Sequence, residues 1–229
     1  MKTLNFYEDD NYKVTYAPGK AKVVVIAFAG VQKGLNGIEI EEFKKSLFNR
    51  CHVFFIVDKK NSWWNNGNIF YALDLIFNEF NQEENYCFSV IGNSMGGSGA
   101  LLACNYYEEL TRGIAVVPQA DIKYPNTYEN RWQEWRSSIN FFRFQHYALK
   151  PCNAELCVFF GSDADTYQKS LFKSEGIPIT EIPVCDHNVI RYFKNQYRHI
   201  YKKLIDYVVF EEDVNTLLSA TSNVAGSKV

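Results

Sequence analysis

The chain has 229 residues, of which 47% are hydrophobic and 22% charged, with a formal net charge of −2. That length fits a single domain able to bury a substantial core, and the interspersed acids and bases form no basic footprint for nucleic acid. The aromatic share is high, 16%, from 18 Phe, 15 Tyr and 4 Trp. Tyr and Trp carry polar tips that want partners, so some of these rings are expected to line a cleft. The first ten residues hold no apolar run and no stretch reaches membrane length. Six cysteines, Cys51, Cys87, Cys104, Cys152, Cys157 and Cys185, lack CxxC spacing. Together these features predict a cytoplasmic protein with reduced thiols and no integral membrane segment, and they leave its oligomeric state open.

Along the chain the elements alternate. Residues 4–7 and 12–16 predict an N-terminal β-hairpin, with its turn in the polar run 8–11. Residues 22–29 form a continuous apolar run ending at Gly30, the pattern of a strand buried on both faces of a parallel sheet. Ile40, Phe43, Leu47 and Phe48 then recur at helical spacing and predict a helix over 38–48. The same reading gives strands at 51–57, 86–91, 113–117, 155–160 and 177–182. Helices are expected at 67–80, 94–109 and 168–174, with a long amphipathic one closing the chain over 188–210. Buried strands alternating with helices predict an α/β fold, a doubly wound and mostly parallel sheet forming one domain over 1–229. Two segments stand apart. Residues 121–151 are too long for an ordinary connection and carry Tyr124, Tyr128, Trp132, Trp135, Phe141, Phe142, Phe144 and Tyr147, which suits an inserted aromatic lid. Residues 213–229 end in small and polar side chains and are expected to fray.

The chemistry centres on Gly92-Asn93-Ser94-Met95-Gly96, a G-x-S-x-G motif with a good strand before it and a good helix after it. Such a serine sits on a sharp strand-to-helix turn, where the glycines two residues away leave room for the backbone to double back. A nucleophilic serine needs a base and an acid, and in this arrangement they follow in the order Ser, acid, His. Among the four histidines, His187 lies in the loop between the last strand and the closing helix. His52 begins a buried strand, His199 sits inside the closing helix, and His146, a minor alternative, belongs to the insertion. After the fifth strand come Asp163 and Asp165. Asp165 is favoured as the acid, with the other aspartate left to cap the next helix. Two backbone N–H groups are needed for an oxyanion, one from Met95 and one from the loop after the first buried strand. Gly30 is the choice there, with Ala29 or Val31 beside it. Metal-binding and nucleotide-binding spacings are absent, so no metal is expected.

These residues resemble the α/β-hydrolase superfamily over about residues 22–210. More narrowly, three features are similar to small bacterial α/β-hydrolase-fold enzymes that add or remove acetyl groups on capsular and surface polysaccharides. They are the Gly-x-Ser-x-Gly-Gly elbow with its continuation through Gly97, Ser98, Gly99, Ala100 and Leu101; Pro118-Gln119-Ala120 after the fourth strand; and the run from Gly161 to Tyr167 at the acid. Phe28-Ala29-Gly30 departs from the His-Gly that lipases often carry before this loop. The resemblance implies a serine hydrolase acting on a small-molecule or carbohydrate ester, with no cofactor. An O-acetyltransferase using the same three residues and acetyl-CoA is the alternative, and a non-catalytic scaffold in a polysaccharide or secretion assembly is a third. Trp132 and Trp135, three apart, would share one helix face and could stack on a sugar.

Overall fold

The computed structural model describes residues 2–31, 41–80, 85–122, 131–144, 152–183 and 185–226. It is built on one eight-stranded sheet. The strands are β1 (Leu4–Glu8), β2 (Tyr12–Ala17), β3 (Val23–Phe28), β4 (His52–Asp58), β5 (Cys87–Asn93), β6 (Leu110–Val116), β7 (Glu155–Gly161) and β8 (Thr180–Ile182), in the spatial order β1-β2-β4-β3-β5-β6-β7-β8. The N-terminal hairpin is present: β1 pairs antiparallel with β2 and β2 antiparallel with β4. From β4 to β8 every pairing is parallel. All six residues of β3 are buried, as a strand covered on both faces requires.

The helices are α1 (Lys44–Leu47), α2 (Ile69–Phe80), α3 (Met95–Tyr106), α4 (Gln133–Arg136), α5 (Thr166–Ser174), α6 (Val189–Gln196), α7 (Arg198–Val208) and α8 (Val214–Gly226). Helix α2 buries Ile69, Leu73, Ile76, Phe77 and Phe80, the stripe that its sequence spacing predicts. Helix α3 is different, because every residue from Met95 to Cys104 is buried. Its small side chains let it lie against β3, β5 and β6 at the centre of the molecule.

Four expectations need correction. The described part of the expected helix 38–48 has only one helical turn, α1, because Phe43 takes a left-handed conformation (φ 65°) and stops the helix from extending backward; residues 38–40 lie outside the described residues. The last strand is three residues long, not six. The closing helix breaks in two at Tyr197 (φ −135°, ψ 59°), which ends α6 and precedes α7. The tail expected to fray instead forms α8, which buries Leu217 and packs against α7 and β8. Of the expected lid, residues 123–130 and 145–151 lie outside the described residues, His146 among them, while 131–144 contain α4. All six cysteines are free thiols. Among the described residues, no helix is long and apolar enough to cross a membrane.

Candidate active site

The parallel order reverses between β3 and β5, so the chain leaves the carboxyl ends of these neighbouring strands in opposite directions and opens a crevice there. Ser94 stands at this point, between the end of β5 and the start of α3. Its backbone is held at φ 56°, ψ −122°, a conformation that non-glycine residues rarely adopt. The flanking glycines have a steric cause. A Cβ on Gly92 would lie 1.9 Å from the Gly96 carbonyl oxygen, and one on Gly96 would lie 2.2 Å from the Phe28 carbonyl oxygen. The Ser94 N–H donates to Val116 O at 2.8 Å, which ties the elbow to β6.

From this elbow a chain of hydrogen bonds runs across three loops. Ser94 Oγ is 3.0 Å from His187 Nε2, and His187 Nδ1 is 2.8 Å from Asp165 Oδ2. The Asp165 side chain is fully buried, and its second oxygen accepts a hydrogen bond from Arg131. Burial alone would raise the Asp165 carboxyl, but hydrogen bonds and charge from His187 and Arg131 outweigh it and hold the group below its ordinary value. An ionised Asp165 therefore faces Nδ1 and favours the tautomer that leaves Nε2 free to accept from the serine. Asp165 itself occupies the N-cap position of α5, in a left-handed conformation (φ 57°) and without a side-chain cap bond. Asp163 is exposed and, among the described residues, its carboxylate accepts only from Ser162, so it does not cap α5 either. Its backbone is what matters, because its N–H donates to Cys185 O at 3.0 Å and docks the loop that carries His187.

The oxyanion expectations divide. Met95 is the first residue of α3, where an N–H has no acceptor within the helix. The Ala29 N–H is spent on Ile56 O at 2.9 Å. The Gly30 N–H faces the carboxylate of Glu42. Val31 lines the crevice, and among the described residues its N–H has no acceptor.

A pocket of about 520 Å³ opens over Ser94, lined among others by Gly30, Val31, Glu42, Asn93, Trp132 and His187. Trp132 and Trp135 both line it, although α4 is a single turn and Trp132 is its N-cap rather than a helical residue. The indoles also pack. Trp132 lies 5.5 Å from the ring of buried Trp63 and 5.7 Å from that of His187, and Trp135 lies 6.5 Å from Trp63. The Trp132 indole nitrogen is buried with no hydrogen-bond partner.

No family model matches the chain, and no curated protein matches it in sequence. Solved structures do. The capsule O-acetyltransferase of Neisseria meningitidis serogroup A superposes with a TM-score of 0.61 at 18% identity, covering 87% of this chain and 93% of that one. The fluorophosphonate-binding serine hydrolase FphF of Staphylococcus aureus gives 0.58 at 14% identity, covering 93% and 98%. An acylaminoacyl peptidase of Pyrococcus horikoshii gives 0.58 at 14% identity, with 95% of this chain matched to 43% of the longer protein. The fold is that of the α/β-hydrolases.

Within this α/β-hydrolase fold, several residues of the site were given no role from the sequence, although Gln119 stood in the Pro118-Gln119-Ala120 run. Gln119 is fully buried beside Ser94: its Nε2 lies 3.5 Å from Ser94 Oγ, and its Oε1 accepts from Trp63 Nε1 at 2.9 Å. Trp64 Nε1 donates to Met95 O at 2.9 Å and so holds the first turn of α3. Arg131 reaches Asp165 from the insertion, and Glu42 reaches Gly30 from the segment before α1. None belongs to a spaced motif. The only local signals were the Trp63-Trp64 pair after a strand and the position of Gln119 just beyond another. His52 takes the structural role expected of it, with its Nδ1 2.6 Å from the Tyr16 hydroxyl.

Proposed function

We propose that this α/β-hydrolase is a serine enzyme that takes an acyl group from an ester onto Ser94 and passes it to water or to an alcohol. The observation that carries this reading is the unbroken chain Ser94–His187–Asp165, at 3.0 and 2.8 Å, with Ser94 and His187 lining the pocket. Ser94 Oγ attacks the acyl carbon while His187 Nε2 takes its proton. Asp165 steadies the imidazolium so formed without itself becoming protonated. The negative charge that develops on the carbonyl oxygen falls to the Met95 N–H and to the loop at Gly30 and Val31, of which Val31 has the unclaimed donor. His187 returns the proton to the departing alkoxide, leaving an acyl-Ser94 ester. A second nucleophile, deprotonated by the same His187, then releases the acyl group and restores the serine.

For the substrate, we propose an acetyl ester of a carbohydrate. Two indoles in the pocket wall, Trp132 and Trp135, suit the flat apolar faces of pyranose rings. Transfer of acetyl to a sugar, with acetyl-CoA as donor, is the second reading. It is supported by the overall likeness to a capsule O-acetyltransferase of comparable length. A second cleft, of about 590 Å³, also favours it: this cleft shares Glu42, Ile190 and Lys194 with the first and adds Lys45 beside the Lys44–Glu41 ion pair, room for a phosphate-bearing donor with Lys45 and Lys194 on its wall. A scaffold role has less support, since a scaffold has no use for a base and an acid aligned on one serine.

The test is covalent. A fluorophosphonate probe is expected to label the protein once and to leave Ser94→Ala unlabelled; labelling that survives the substitution removes Ser94 from the mechanism. Release of acetate from an acetylated sugar, set against transfer of acetyl from acetyl-CoA to the free sugar, then separates hydrolase from transferase.

A further inference from the structure

Among the described residues three buried side-chain polar atoms have no hydrogen-bond partner: Glu42 Oε2, Asn93 Oδ1 and Trp132 Nε1. All three belong to residues lining the pocket over Ser94. Buried polar groups are ordinarily paired, so such a gathering in one place calls for a reason. Trp132 packs against the rings of Trp63 and His187. Glu42 and Asn93 face each other.

The Glu42 carboxylate faces the Gly30 N–H and the Asn93 side-chain amide, both of which draw its acid downward. Gly30 follows β3, and Asn93 is the last residue of β5, directly before Ser94. The two segments already approach closely, since a Cβ on Gly30 would lie 3.2 Å from Asn93 O and 3.4 Å from Glu42 Oε1. Glu42 therefore spans the two backbone segments that flank the nucleophile. Val31, whose N–H is the unclaimed donor on one side, is one residue from the bridge; Met95, the donor on the other, is two residues from it. We infer that Glu42 is a positioning residue for the oxyanion site, a carboxylate bridge that fixes the spacing between the Gly30–Val31 donor loop and the Ser94 elbow. This inference rests on the proposed acyl chemistry at Ser94.

The bridge has a built-in sensitivity to protons. One carboxylate oxygen is sealed from solvent with no donor, so its charge is poorly compensated. Burial, the dominant influence, pushes the Glu42 acid up to about 7, against the opposing pull of the Gly30 N–H, the Lys194 ammonium and the Asn93 amide. Around it, Lys194 and Arg191 of α6 and His187 across the pocket are the other titratable or charged groups lining the same cavity. Neighbouring Glu41 is engaged elsewhere, by Thr3, Thr15 and Lys44. The sign follows from the bonding. The ionised carboxylate attracts both N–H groups, and protonation weakens that attraction, so the bridge holds above about pH 7 and loosens below it.

Hydrolysis of p-nitrophenyl acetate, inhibition by an aryl trifluoromethyl ketone and thermal melting test the inference together. The ketone forms a hemiketal oxyanion on a serine and so reports the donors themselves. Glu42→Leu is expected to lower kcat and weaken ketone inhibition in parallel, each by roughly 10- to 100-fold, with KM changed by less than about threefold. In the wild type, protonation of Glu42 is expected to lower log kcat/KM by about one to two in a step centred near pH 7. In Glu42→Gln, which keeps the volume and cannot ionise, that step is absent. A step unchanged in Glu42→Gln, or a Glu42→Leu whose kcat and KM worsen together with a lowered melting temperature, overturns the assignment. If the wild type neither takes a fluorophosphonate nor cleaves the ester, it is the acyl chemistry that fails instead.

Discussion

Asp165 and Asp163 are two residues apart, and only their surroundings separate them. Asp165 is buried, bonded to His187 Nδ1 at 2.8 Å and reached by Arg131, whereas Asp163 is exposed and meets only Ser162. Asp165→Asn is accordingly expected to lower turnover by roughly 10³- to 10⁴-fold, because the amide presents the wrong partner to the imidazole. Asp163→Asn should stay within about tenfold of wild type, since its docking contact is a backbone N–H that the substitution leaves in place. The reverse ranking would transfer the role. A stability signature accompanies the kinetic one. Because the folded Asp165 is held below its ordinary 3.8, it contributes stability that is fully present above that value and lost as pH falls through the lower, folded value. Acid titration of stability should therefore be shallower below about pH 4 in Asp165→Asn than in the wild type. Sequence order predicts that Ser94, His187 and Asp165 meet, and in the structure they do, because this fold hangs each on a particular strand end. It could not find Arg131, Gln119 or Glu42, whose partners lie 34, 25 and 12 positions away in the chain and are brought close only by packing.

Among the elements, the long ones were legible and the short ones were not. Apolar runs marked β3, β4, β5 and β7 because both faces of each are covered, and helical spacing marked α2. A one-turn helix such as α1 or α4 leaves no period to read, and the break at Tyr197 has neither Gly nor Pro to announce it. The turn after β4 was equally silent, yet it supports the site. Asn61, Trp63 and Trp64 all have positive φ, a costly arrangement for bulky residues. It is held by Asp58, wholly buried, whose carboxylate accepts from the Lys60, Ser62 and Trp64 N–H groups and from the Ser62 hydroxyl. Asp58→Ala should cost about 2–4 kcal/mol in denaturant unfolding, because several buried donors lose their acceptor together. It should also slow fluorophosphonate labelling of Ser94, as Trp64 no longer steadies Met95 O. A labelling rate equal to wild type would confine the turn to a packing role. The indoles of the insertion call for a comparison of substrates. Trp135→Ala should reduce kcat/KM for an acetylated oligosaccharide by several-fold more than for p-nitrophenyl acetate, with roughly 1–3 kcal/mol of aromatic contact at stake. Equal losses on both, with a lowered melting temperature, would assign Trp135 to packing against Trp63 alone.

Across the whole molecule the groups of the proposed catalytic chain sit in unequal surroundings. Ser94 rises from the middle of the sheet, where β5 is paired on both sides and α3 is buried along most of its length. His187 hangs from the far edge, after a three-residue β8 that only β7 pairs with. So short a strand has little stability of its own, and helix α8 packs against both β8 and α7. That helix was the clearest misreading of the sequence. The small and polar residues of 213–229 look like a frayed end, but Leu217, Thr221 and Val224 fall on one side of it and are buried, a sparse stripe that shows only once its partner surface is known. Truncation after Glu212 should therefore do two things. Losing the burial of Leu217 and Val224, along with the surface they cover, should cost at least about 3 kcal/mol, lowering the melting temperature by roughly 6–12 °C for a domain of this size. If α8 also braces β8, the truncated protein should lose turnover at temperatures well below its own melting point, and hydrogen exchange should quicken first at Thr180–Ile182 and in the His187 loop, before β5 and α3 respond. Uniformly faster exchange, with turnover tracking the folded fraction, would mean that α8 stabilises the domain as a whole and has no particular hold on the edge that carries the base.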